Sequence, residues 1–194
     1  MKHPIRKFDD PILSVACAPA AKRDQKLEQV MLSECSRLRG LGIAAPQVGV
    51  AVRLVYISGI GFMYNPVICA RSESASTARE GCLSYPGYAA TVTRSETVTV
   101  EYQTPKNISD NAEMDAKGIP PGEVTLKTYS GQFARVVQHE VDHLSGVCHV
   151  GDVWRKSNRL SKIDKATRAR LVAATSPTKI FGGQWVGIPG LSHE

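Results

Sequence analysis

Gln138-His139-Glu140-Val141-Asp142-His143-Leu144-Ser145-Gly146 places two histidines four residues apart with a glutamate between them. At about 100° per residue, four steps of an α-helix bring the second imidazole to within about 40° of the first, one turn along the same face. Both rings then reach a single metal ion, and Glu140 stands beside that ion without ligating it. A divalent ion so held acts as a Lewis acid and makes hydroxide available near neutral pH. Glu140 takes the proton and later delivers it to a leaving amine. The surrounding residues support the helix. Phe133, Val136, Val137, Val141 and Leu144 form an apolar stripe, which predicts a helix that starts near Ser130 and stops before Gly146.

A catalytic metal site normally has three protein ligands and one open position. The candidates for the third are Cys82, in Glu80-Gly81-Cys82-Leu83-Ser84, and the isolated residues Cys17, Cys35, Cys69, Cys148, His3, His149 and His193. The ordinary role of Cys17, Cys35 and Cys69 is that of a small buried hydrophobe. Cys82 differs because a glycine precedes it, the setting of a tight turn that offers both a thiolate and free backbone N–H groups. Local sequence leaves that choice open.

Farther out the chain reads as mixed helix and strand. A first helix is predicted from Asp24, a good N-cap, to Arg39, with Leu27, Val30, Met31, Cys35 and Leu38 at helical spacing and Gly40 as its stop. Val52 to Ile57 and Thr91 to Tyr102 are β-branched and partly alternating, which predicts two strands. Gln103 to Val124 is polar and rich in turn-forming residues, and reads as a long surface excursion. A third, basic helix is expected over Ser161 to Ala174, before a tail rich in Gly and Pro. Ile12 to Ala20 has some features of a secretory core, but Asp9, Asp10 and Pro11 stand where a basic flank belongs.

The 194 residues suit one domain. With 42% apolar and 22% charged residues the chain falls in neither the disordered nor the membrane-spanning class. Five cysteines without a C-x-x-C pair argue for a reducing compartment rather than a disulfide framework. Arg155 to Arg170 holds seven basic residues against one acid, so this stretch alone carries the net charge of +6. It reads either as a solvated helix face or as a docking surface.

Three segments together resemble the signature motifs of the peptide deformylase family. Gly40-Leu41-Gly42-Ile43-Ala44-Ala45-Pro46-Gln47 matches G-x-G-x-A-A-P-Q, Glu80 to Ser84 matches E-G-C-L-S, and Gln138 to Gly146 matches Q-H-E-x-D-H-L-x-G. They stand in the family's order, and the likeness runs from Asp10-Pro11-Ile12-Leu13 to about Val153. The resemblance implies an α+β fold, with antiparallel β-sheets around a central metal-binding helix, in one catalytic domain over 1–174 with a C-terminal helix and a tail over 175–194. It implies metal ligation by Cys82, His139 and His143, and acid/base chemistry by Glu140. Gln47 and the Leu83 N–H would stabilise the oxyanion. Leu41 and Gly42 would contact the peptide backbone, and Glu80 and Arg94 would brace the cysteine loop as a pair; an unbranched methionine side chain itself calls for an apolar cleft, for which Val136, Leu41 and Ile43 are the candidate wall.

The implied reaction removes the formyl group from the N-terminal formyl-methionine of nascent polypeptides and releases formate. The implied cofactor is one divalent ion, Fe2+ in the cell, with Zn2+, Ni2+ or Co2+ as other occupants. The partners are a formylmethionyl peptide and, through 155–170, the ribosome, with no membrane; a monomer in bacterial or phage cytoplasm is the expectation, an organelle the second choice. The sequence departs from the pattern at Ala89, where many members carry an arginine that helps hold the substrate, and the 103–124 loop is longer than the family norm. Two other readings compete: a metallopeptidase using His149 as third ligand, and a binding module built on the basic stretch in which hydrolysis is lost.

Overall fold

The computed structural model describes residues 5–8, 10–106, 108, 123–160, 180–181 and 184–185. In chain order the elements are α1 (Gln25–Arg37), β1 (Gly42–Ala44), β2 (Leu54–Ile57), β3 (Gly61–Arg71), β4 (Ala75–Gly81), β5 (Ala89–Ser95), β6 (Thr97–Gln103), β7 (Thr125–Ser130), α2 (Gly131–His143), α3 (His149–Leu160), and the short pair β8 (Ile180–Phe181) and β9 (Gln184–Trp185). Asp24 caps α1 by accepting the Leu27 N–H at 3.0 Å. The helix ends in a paired motif, with Arg39 N–H on Ser36 O at 3.1 Å and Gly40 N–H on Cys35 O at 2.8 Å. Gly40 is not the left-handed residue there. Arg39 takes that conformation, at φ 54°, which costs an L-residue about 1 kcal/mol or more.

Five antiparallel strands form one sheet in the order β1-β2-β3-β6-β7. β4 and β5 form a separate hairpin in unbroken register from Ala75↔Ser95 to Gly81↔Ala89. The single strand expected over Thr91 to Tyr102 is therefore two. They part at Glu96, whose N–H bonds Ser74 O at 2.9 Å and whose carbonyl accepts from Gly131 N–H at 2.8 Å. The chain turns a corner here to pass from the hairpin into the sheet.

α2 lies across all five strands of the large sheet and also touches β5. Its Ala134 and Val137, with Leu144 that caps its end, meet Val55, Ile57, Met63, Val98 and Val100 in one buried apolar cluster. α1 supplies Leu27, Met31 and Cys35 to a second cluster with Ile43, Leu54 and Tyr64. A third cluster joins Leu13, Cys82, Tyr85, Val92, Cys148 and Val150 around β5 and α3. Helix α2 is thus enclosed by the sheet on one side and the hairpin on another, an α+β arrangement.

Several expectations are corrected. Phe133, placed in the buried stripe of α2, is 47% exposed. Cys69 is exposed, on the outward-facing end of β3, whereas Cys17, Cys35, Cys82 and Cys148 are buried. Leu13, Cys17 and Ala20 are core residues, so the apolar stretch near the start packs against the domain. Helix α3 lies upstream of the expected basic helix. Residues 161–174, most of 103–124, the basic run beyond Leu160 and the tail apart from β8 and β9 lie outside the described residues. No helix among those described is long and apolar enough to cross a membrane.

Candidate active site

Cys82 follows the last residue of β4, at the closed end of the hairpin, and His139 and His143 rise from α2. One ligand atom from each lies within 4.8 Å of the others. Cys82 Sγ is 3.3 Å from His143 Nε2, and the imidazole centroids are 5.1 Å apart at 77°. Burial lowers the pKa of His143 and keeps it a neutral donor. Burial likewise pushes the Cys82 thiol well up, a thiol that a bound cation would turn to thiolate. His143 Nδ1 and Glu140 Oε2 are buried without a hydrogen-bond partner among the described residues. Soft sulfur with two imidazoles at this spacing suits Zn2+, Fe2+ and similar ions, so the residues present fit a metal.

Glu80 anchors this arrangement. Arg94 grips it with Nε on Oε1 at 2.7 Å and Nη2 on Oε2 at 2.9 Å. Arg135 Nη1 adds a bond to Oε1 at 2.7 Å, and His139 Nδ1 lies 3.0 Å from Oε2. Burial alone would raise the Glu80 pKa, but the hydrogen bonds from His139 and Arg94 bring it down to about 2. The same burial opposes the protonated imidazole of His139, yet the bond to Glu80 lifts its pKa to about 9. With Nδ1 committed, Nε2 is the nitrogen His139 has left for an ion, a carboxylate–histidine support of the usual kind. Arg94 also bonds Asp142 at 2.7 Å, which makes Asp142 a structural partner. Arg135 was missed by the sequence reading, although it stands four residues before His139 and so on the same helical face.

Glu140 is 4% exposed, and burial raises its pKa to about 7. A Cβ added at Gly42 would sit 2.7 Å from Glu140 Oε1, so the glycine makes room for the carboxylate. Gln47 is held by Ala44 N–H on its Oε1 at 2.8 Å, and its Nε2 donates toward Cys82 Sγ at 3.4 Å and Ser84 Oγ at 3.2 Å. The side-chain amide of Gln47 thus lies beside the sulfur.

These groups open onto a cleft of about 790 Å³ lined by Leu41, Gly42, Gln47, Leu83, Val136, His139 and Glu140, among others. Leu41 is 54% exposed there. Ile43 does not reach it. Period-2 alternation turns its side chain into the α1 core, where it is fully buried. Ala89 is buried against Gly81 and is not part of the cleft wall. His149 approaches Asp142 at 3.7 Å and is 45% exposed on its side chain. It is not in the group of three ligand atoms, and the metallopeptidase reading loses its third ligand.

The family model described as "Polypeptide deformylase" matches residues 2–159. The peptide deformylase of Natranaerobius thermophilus is 33% identical over 153 residues, 75% of this chain and 88% of that protein. The actinonin-bound crystal structure of a class I type b peptide deformylase from Acinetobacter baumannii is similar with TM-score 0.64 and 32% identity, covering 76% of this chain and 94% of that one. A Met-Ala-Ser-bound structure of the same enzyme is similar with TM-score 0.63 and 30% identity, covering 76% and 95%.

Proposed function

Because the chain belongs to the peptide deformylase family of enzymes, we propose that it removes the formyl group from formyl-methionine at the start of nascent polypeptides, with Cys82, His139 and His143 holding one divalent ion. The observation that carries this reading is the convergence of those three ligand atoms within 4.8 Å, beside a buried glutamate. A bacterial relative binds Met-Ala-Ser, a peptide that begins with the residue a deformylated chain would expose.

When bound, the ion supplies Lewis acidity to the formyl carbonyl and to water. Glu140 takes the proton from the attacking water and passes it to the leaving amine. A carboxyl group raised to about 7 is matched to both tasks near neutral pH. Negative charge gathers on the formyl oxygen as the carbonyl is attacked. The Gln47 amide and the Leu83 N–H are the donors for it, preorganised by the Ala44 bond and by the turn after Cys82. Leu41 and Gly42 hold the peptide backbone, and Val136 forms part of the apolar wall for the methionine side chain. Glu80 and Arg94 fix the imidazole of His139. Fe2+ is the proposed cellular ion, with Zn2+, Ni2+ or Co2+ as alternatives in purified protein.

The catalytic unit is proposed to span 1–174, to act in bacterial or phage cytoplasm, and to meet the ribosome through the basic run 155–170. The deciding experiment is release of formate from formyl-Met-Ala by freshly prepared protein, with metal analysis in parallel. Glu140→Ala should keep its metal and lose nearly all turnover; turnover at the parent rate would remove Glu140 from the reaction.

A further inference from the structure

Among the described residues the charges around the cleft do not balance. Glu80 and Glu140 are the acids of its wall; both are buried, and Glu80 is already saturated by Arg94, Arg135 and His139. The cations are more numerous and come from separate parts of the chain. Arg135 is committed to Glu80, and Arg37 is paired with Glu34. Lys7 and Arg39 are exposed on the wall and have no carboxylate partner among the described residues.

Arg39 carries a second mark. Its backbone is left-handed at φ 54°, at the helix-terminal position where glycine is the ordinary residue. Its neighbour Gly40 lines the same cleft, yet the strained position is occupied by a long cation. Strain kept at the lip of a binding cleft points to a use for the side chain.

Resting on the deformylase reading, we propose that Arg39, assisted by Lys7, recognises an acidic side chain just downstream of the formyl-methionine, so that the enzyme favours nascent chains with Asp or Glu as second residue. The substrate's methionine goes toward the apolar floor at Val136, which leaves the following residues to pass the rim. Lys7 and Arg39 act there as exposed charges, so their effect is moderate and weakens with salt.

The test compares kcat/KM of the metal-loaded enzyme on three C-terminally amidated peptides, formyl-Met-Asp-Ala, formyl-Met-Gln-Ala and formyl-Met-Lys-Ala. Amidation removes the terminal carboxylate as a competing anion. At low salt the Asp peptide should exceed the Lys peptide about fivefold, mostly through KM, and the ratio should shrink toward one at about 0.5 M salt. Arg39→Gly relieves the backbone strain, so it should melt at or above the parent temperature while its Asp/Lys ratio falls; Arg39→Lys should restore the ratio in part. A parent ratio at or below one overturns the inference alone. So does a ratio unchanged in the Arg39→Gly, Lys7→Ser double variant. Failure of the parent to hydrolyse any of the three overturns the deformylase reading and this inference with it.

Discussion

At Gly42 a single hydrogen atom separates the observed position of the Glu140 carboxylate from a displaced one. The Cβ of alanine would stand 2.7 Å from Glu140 Oε1 and 2.8 Å from its Cγ, closer than real contacts allow, so Gly42→Ala must push Glu140 from its position. The ligands are untouched by that change. Formate release should fall about a hundredfold or more while metal content stays at the parent level. Gln47→Ala removes an amide aimed beside the sulfur and should lower kcat about a hundredfold, with little change in KM. Glu80 gives a pH dependence. Its carboxyl titrates at about 2 in the folded chain against the ordinary 4.5, so the unfolded chain binds more protons between those values. The stability this group contributes is full above 4.5 and is lost as pH falls toward 2. Glu80→Gln should therefore flatten the acid side of the urea-midpoint profile of metal-free protein.

Among the elements, α2 and the β4–β5 hairpin are joined mainly by arginine. Arg94 of β5 reaches Glu80 on the facing strand and Asp142 on the helix, and Arg135 of the helix reaches back to Glu80 and to Val92 O at 2.9 Å. Arg94→Ala removes two of the bonds to buried Glu80 and the one to Asp142, leaving Arg135 and His139 on the carboxylate, and should destabilise by about 3 kcal/mol. Arg135→Ala should cost less, because Arg94 and His139 still compensate Glu80; equal losses in urea unfolding would contradict this division. Helices α1 and α2 were legible because their apolar spacing is dense and Asp24 caps the first, whereas α3 was not expected where it lies. The strands were less so. β3 contains Asn65-Pro66, a turn signal in isolation, yet Asn65 adopts φ 53° at a register shift and bonds Ala20 and Gln103 in the interior. β4 has five exposed residues in succession and no alternation to read. His139, His143 and Glu140 were visible because their chemistry demands those residue types at helical spacing, whereas Cys82 was left open by local sequence and entered only through the family resemblance. Arg135 and the rim charges were not visible, because an arginine's partner is chosen by tertiary folding rather than by spacing.

For the molecule as a whole, the proposed ion would do more than catalyse. Cys82 belongs to the hairpin and its cluster with α3, whereas His139 and His143 belong to the helix seated on the five-stranded sheet. An ion shared by all three ties the hairpin to the layer built around the sheet, and the unfolded chain cannot present the same set. Binding to the native state alone stabilises it by about 2.7 kcal/mol when free metal is a hundred times Kd. Thermal unfolding should therefore move upward as Zn2+ or Co2+ is added to metal-free protein and fall again with a chelator. Cys82→Ala should abolish most of that response while leaving the metal-free melting temperature nearly as it was, since the lost side chain is small. A Cys82→Ala protein that still rose in step with added metal would show that the hairpin contributes no ligand. In that case the two histidines would be binding the ion with a different third group.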